Sequence, residues 1–157
     1  MLFLLSASLQ AAPACFTPAE AAAAHLRVLQ LHFNVAALNC QLADPEAPSF
    51  AERYNRFVGQ FSAQLQNNGA VLSRHFGKDR AGFDRWMTRI ANQAGQSVIA
   101  KPDFCQLAWD RLEKIITLPA DAIEAYAVET GVAAEFAPRC PEKPAQERKT
   151  IVPRSPG

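Results

Sequence analysis

Residues 17–42 read Thr17-Pro-Ala-Glu-Ala-Ala-Ala-Ala-His-Leu-Arg-Val-Leu-Gln-Leu-His-Phe-Asn-Val-Ala-Ala-Leu-Asn-Cys-Gln-Leu42, and this stretch decides the fold. A hydroxyl residue, then Pro, then a carboxylate three residues after the hydroxyl make a helix start: the two side chains satisfy backbone N–H groups that lack helical partners, and Pro loses no bond at the first helical position. Beyond it, apolar residues recur at Leu26, Leu29, Phe33, Ala36 and Cys40, with a second row at Val28, Leu31, Val35, Leu38 and Leu42. Two adjacent rows at helical spacing make a broad apolar face, which predicts a central helix touching several neighbours. Asp44-Pro-Glu-Ala-Pro48 ends it, because neither Pro can continue the hydrogen-bond ladder.

Outward from this helix the pattern repeats. Ser49 with Glu52 is a second capping pair, and Phe50, Tyr54, Phe57, Phe61 and Leu65 mark one face. Asn67-Asn-Gly69 is a weak point, but the helical phase carries through it to Leu72 and Phe76, which predicts one long helix ending at Gly77. Asp79 opens a third helix with Phe83, Trp86, Met87, Ile90, Ala94 and Val98 inward. Pro102 or Asp103 opens a fourth, with Phe104, Leu107, Ala108, Leu112, Ile115 and Ile116 inward, and Leu118-Pro119 restarts the chain as a fifth that ends near Thr130. No segment alternates with period two, so the expected fold is all-α: a single-domain bundle of four to five helices over residues 15–130. From Gly131 to Gly157 large apolar residues are few and five of the eleven prolines lie beyond Ala137, which predicts a flexible, Pro-rich, basic tail.

Residues 1–14 read as a cleaved signal peptide. Met1-Leu-Phe-Leu-Leu is a short apolar run, with Ala12 and Ala14 in an A-x-A pattern before Cys15. The run is shorter than the roughly 20 apolar residues that span a bilayer. No Lys or Arg precedes it, so Met1 is read as an internal methionine of a longer leader. Removal of the leader leaves about 143 residues, the size of one domain with its own core. The formal net charge is +1 with both signs interspersed, which offers neither a nucleic-acid footprint nor a polybasic membrane patch. Export makes the compartment oxidising, expected to be the periplasm, and four cysteines then suggest two nested disulfides, Cys40 with Cys105 inside the helical body and Cys15 with Cys140 across its ends. A lipoprotein anchored through Cys15 is the minor alternative; Ala12 stands where a lipobox has a branched apolar residue, and lipidation would strand one thiol.

Chemistry-bearing patterns are sparse. Without Cys-x-x-Cys there is no redox dithiol and no covalent haem site. His25 and His32 are two helical turns apart and could meet His75 or Met87, yet no His-x-x-x-His or Glu-x-x-His accompanies them, so no metal site and no cofactor is assigned. Asp84, Asp110, Glu113, Asp121 and Glu124 have the spacing of polar helix faces. Arg56 and Arg85 each precede an aromatic residue and could face an anion or lie over a ring. Neither a nucleophile elbow nor a phosphate loop is present, so no catalytic residue is assigned.

Leu26-Arg-Val-Leu-Gln30, Val35-Ala-Ala-Leu-Asn-Cys40, Tyr54-Asn-Arg-Phe-Val58, Thr88-Arg-Ile-Ala-Asn92 and Phe104-Cys105 together resemble a family of small exported bacterial proteins of unknown function. The likeness covers residues 25–127 and implies an all-helical secreted domain in which Cys40 and Cys105 are a pair; Cys15 and Cys140 lie outside it. It implies no activity, cofactor or catalytic residue. Two functions are therefore expected. The first is a non-enzymatic periplasmic helical module that binds an envelope protein through a helix face or its basic tail, at Glu147-Arg-Lys149 and Arg154. The alternative is a small-molecule or metal carrier with a pocket between helices, marked by His32, Met87 or arginines in its lining. Oligomeric state is left open.

Overall fold

The computed structural model describes residues 15–41 and 46–142. They form six helices and no strand: α1 (Pro18–Asn39), α2 (Phe50–Gln60), α3 (Ser62–Phe76), α4 (Arg80–Ala100), α5 (Phe104–Ile115) and α6 (Ile123–Glu129). The expected helical bundle is the architecture of the chain. Both capping boxes form. The Thr17 backbone donates to Glu20 at 2.9 Å and Glu20 to the Thr17 hydroxyl at 3.4 Å; Ser49 and Glu52 repeat the exchange at 2.7 and 3.2 Å. At the start of α4 the Asp79 carboxylate accepts from the Gly82 backbone at 2.8 Å. A Cβ on Gly82 would overlap that carboxylate, so glycine there is what lets the cap close.

α1 packs against each of the other five helices, as its two apolar rows demand. The expected long second helix is two helices, bent at Phe61 (φ −111°, ψ 24°) and not at Asn67-Asn-Gly69. The bend keeps the hydrogen bonds from Phe61 to Phe57 and from Leu65 to Phe61, at 3.0 and 2.9 Å. It directs Phe57 and Phe61 toward α5, where Gln60 donates to the Ile116 carbonyl at 3.0 Å, and sends Leu72 and Phe76 to a different cluster. Asn68 and Gly69 stay helical because they make the crossing with α1. Buried Asn68 donates to the Ala23 carbonyl and accepts from Arg27 Nε at 3.2 Å, and Gly69 leaves room for the Arg27 guanidinium. The last helix begins at Ile123, not Pro119; turns stabilised by Thr117 and Pro119 precede it.

Two apolar clusters result. One joins Leu26, Leu29 and Phe33 of α1 to α2, α5 and α6; the other joins Ala21, Ala24 and Val28 of α1 to Phe16, Phe76, Trp86, Ile90 and Phe136. Cys40 is bonded to Cys105 beside the first and Cys15 to Cys140 beside the second, with Cα separations of 5.5 and 4.8 Å.

The expectation of a flexible tail from Gly131 is corrected over residues 131–142. Gly131 (φ 67°) turns the chain out of α6, and Ala133, Phe136 and Ala137 then bury one small face. The Trp86 indole donates to the Phe136 carbonyl at 2.8 Å, the Arg89 guanidinium lies 5.3 Å over the Phe136 ring, and Phe16 pairs in parallel with Arg139. A few well-placed apolar residues and a disulfide offset an ordering cost that composition alone does not show. The expected leader (1–14), Leu42 and the basic residues 147–154 lie outside the described residues.

Candidate functional site

His32 occupies the turn of α1 between Leu29 and Phe33, at the edge of the first cluster. It opens into a cleft of about 370 Å³ between α1, α4, α5 and residues 130–135. Phe104, Leu107, Ala108 and Val132 supply apolar surface, and Gln93, Ser97, Lys101, Arg111 and Glu135 supply polar groups. Gln93, Ser97 and Lys101 fall four residues apart, so α4 presents them as one stripe beside its core residues Ile90 and Ala94.

The imidazole is the unusual member. Its Nε2 is shut off from solvent and has no hydrogen-bond partner, and its ring centroid stands 6.0 Å from that of Phe104. Burial, then the nearby charges of Arg111 and Lys101, push its pKa down to about 4, so it is neutral at neutral pH. The two cations are therefore close enough for His32 to feel both. Neither joins an ion pair among the described residues, where the pairs are Arg53–Glu113, Glu20–His75 and Arg85–Asp79. A concave surface with an apolar floor and two cations unpaired among the described residues has the chemistry of an anion receptor.

The other histidines stand elsewhere. His25 is buried beside the Ala127 backbone, its Nδ1 also without a hydrogen-bond partner; burial lowers its pKa and Arg139 adds to the effect. His75 stacks on Phe16 with centroids 4.0 Å apart, its Nδ1 3.2 Å from Glu20. Burial pushes the Glu20 carboxyl up, but hydrogen bonds from Thr17 and from His75, with the charge of that imidazole, outweigh it and hold the group below its usual value. Met87 lies in a separate hollow with Arg27 and Arg80. The four possible metal ligands are thus dispersed, and among the described residues no three His, Cys, Asp or Glu side chains gather.

The carboxylates are also apart: Glu113 pairs with Arg53 at 3.0 Å, Asp110 accepts from Gln106 at 2.8 Å, and burial alone raises Glu124. Arg85 reaches Asp79 only at 4.0 Å, and the arginine that lies over a ring is Arg89. Sequence reasoning placed His32 as a possible pocket residue but missed Lys101, Arg111 and Glu135. The four-residue polar spacing from Gln93 to Lys101 was the available signal; Glu135 gave none, because its segment reads as tail. Comparison with family models, with curated proteins and with solved structures finds no match for the chain.

Proposed function

We propose that the protein is a non-enzymatic, exported helical carrier that holds a small molecule in the cleft beside His32. The observation that carries this reading is the concave surface over Phe104 and Ala108 in which Lys101 and Arg111 stand without ion-pair partners among the described residues. Periplasmic residence is supported by the leader-like residues 1–14, by the resemblance to small exported proteins and by two disulfides. A bridged Cys15 has no thiol left for a lipid, and among the described residues no helix is long and apolar enough to cross a membrane.

The partner-binding module is supported by a different observation. Among the described residues Leu38, Ile99 and Leu107 are the exposed large apolar ones, and all three lie near the Cys40–Cys105 bridge or the turn from α4 to α5. Intact mass of the protein recovered from its native host separates the two readings. Mass present under native conditions and lost on denaturation is expected of a carrier; equal masses would leave the partner-binding reading.

A further inference from the structure

The geometry points to a small monocarboxylate with an apolar body as the ligand, its carboxylate held between Arg111 and Lys101 and its body resting on Phe104, Leu107 and Ala108. This inference rests on the carrier reading above and names its ligand class. The lining selects charge first. Lys101 and Arg111 contribute two positive charges without ion-pair partners among the described residues, and Glu135 contributes one negative charge. The sum favours a monoanion over a dianion such as phosphate, and it disfavours a cation. A planar guanidinium matches a carboxylate with two parallel hydrogen bonds, while an ammonium adds a point charge without directional demand.

The floor selects the rest of the molecule. Phe104, Leu107, Ala108 and Val132 offer no polar side-chain atom, so the part of the ligand remote from the carboxylate is alkyl or aryl. A volume of about 370 Å³ is at the lower end for small-molecule sites, which suits a compact acid.

Amide chemical shifts of the oxidised protein, titrated separately with benzoate, benzamide, hexanoate and inorganic phosphate, test the inference. Benzoate and hexanoate are expected to move the signals of Ser97, Phe104 and Ala108, with benzamide binding roughly tenfold more weakly. Arg111→Gln should weaken benzoate by roughly tenfold and leave benzamide unchanged. Lys101→Gln, at the exposed end of α4, should act in the same direction and serves if the Arg111 variant does not fold. Equal affinity for benzoate and benzamide would overturn the charged recognition while leaving a cleft that takes ligands. Phosphate binding tighter than either acid would overturn the carboxylate. Silence from all four probes, in a protein whose native and denatured masses agree, would sink both this inference and the carrier reading.

Discussion

Around the C-terminal half of α1, Leu29, Phe33 and Ala36 meet the helices α2, α5 and α6, whereas around its N-terminal half Ala21, Ala24 and Val28 also meet Phe16 and residues 133–137, which belong to no helix. The two bridges differ in the same way. Cys40–Cys105 joins the end of one helix to the start of another, and Cys15–Cys140 joins two extended segments whose backbone pairing is the single bridge of Phe16 with Arg139. Helices hold their own backbone hydrogen bonds, so the first cluster is ordered by element packing. The second is ordered by tethers: a disulfide, the Trp86–Phe136 hydrogen bond and a stacked His75. One bundle thus carries a rigid half and a stapled half, and residues 130–135 of the stapled segment wall the cleft.

The largest expected effect breaks the rigid half. Replacing Cys40 and Cys105 by Ser removes a 65-residue closure, worth about 4 kcal/mol in the chain-entropy account, and should lower the denaturant midpoint of the whole molecule together. Loss confined to one half would contradict the contrast.

Acidification comes next. His32 titrates at 6.5 when unfolded and at about 4 when folded, so the folded state favours the neutral imidazole. Its contribution is fully present above pH 6.5 and is lost as the pH falls toward 4, a change of about 3 kcal/mol at most. His25 shifts in the same direction and adds to the loss, as does Glu20, whose lowered carboxyl pKa withdraws stability as it protonates. His32→Gln should flatten the urea-unfolding free energy against pH between 6.5 and 4; an unchanged profile would remove His32 from the account.

Phe136→Ala tests the stapled half. The side chain is buried, but its segment can relax away from α4, so roughly 2 kcal/mol is expected, below the usual cost of a core Phe→Ala change. Amide exchange should speed up at residues 133–140 and stay slow in α5. Asn68→Leu, which strands Arg27 Nε and the Asn68 contact to Ala23, should cost about 2 kcal/mol, in the α1–α3 crossing shared by both halves. Gly82→Ala should cost about 1 kcal/mol by displacing the Asp79 cap of α4, read as a small shift of the thermal midpoint.

Legibility followed the same division. The two rows of α1, the capping boxes at Thr17 and Ser49 and the inward face of α5 at Phe104, Ala108, Leu112 and Ile115 are periodic signals, and the rigid half was readable from them. The bend at Phe61 was not, because its residues keep helical phase and the turn is decided by where α5 and α4 stand. Leu38 and Leu107 continue apolar rows yet are exposed, since each row runs past the end of its neighbour. Residues 131–142 carry too few apolar side chains to announce packing; Phe136 and Ala137 acquire it only from Trp86 and the bridge at Cys140. The cleft shared that fate. His32 was visible as a polar residue inside an apolar helix, but Arg111 and Lys101 converge on it only through the packing of α4 and α5.

The two tryptophans make the most direct test, because Trp86 lies in the stapled half and Trp109 packs on Phe50 in the rigid half. In a chain with Cys15 and Cys140 replaced by Ser, Trp109→Phe leaves Trp86 as the reporter and Trp86→Phe leaves Trp109. Urea unfolding followed by fluorescence should then give two separate transitions, Trp86 at lower urea and Trp109 near its position in the bridged protein. Coincident transitions, both displaced to lower urea, would mean that the two halves fold as one and that the staple holds the whole molecule.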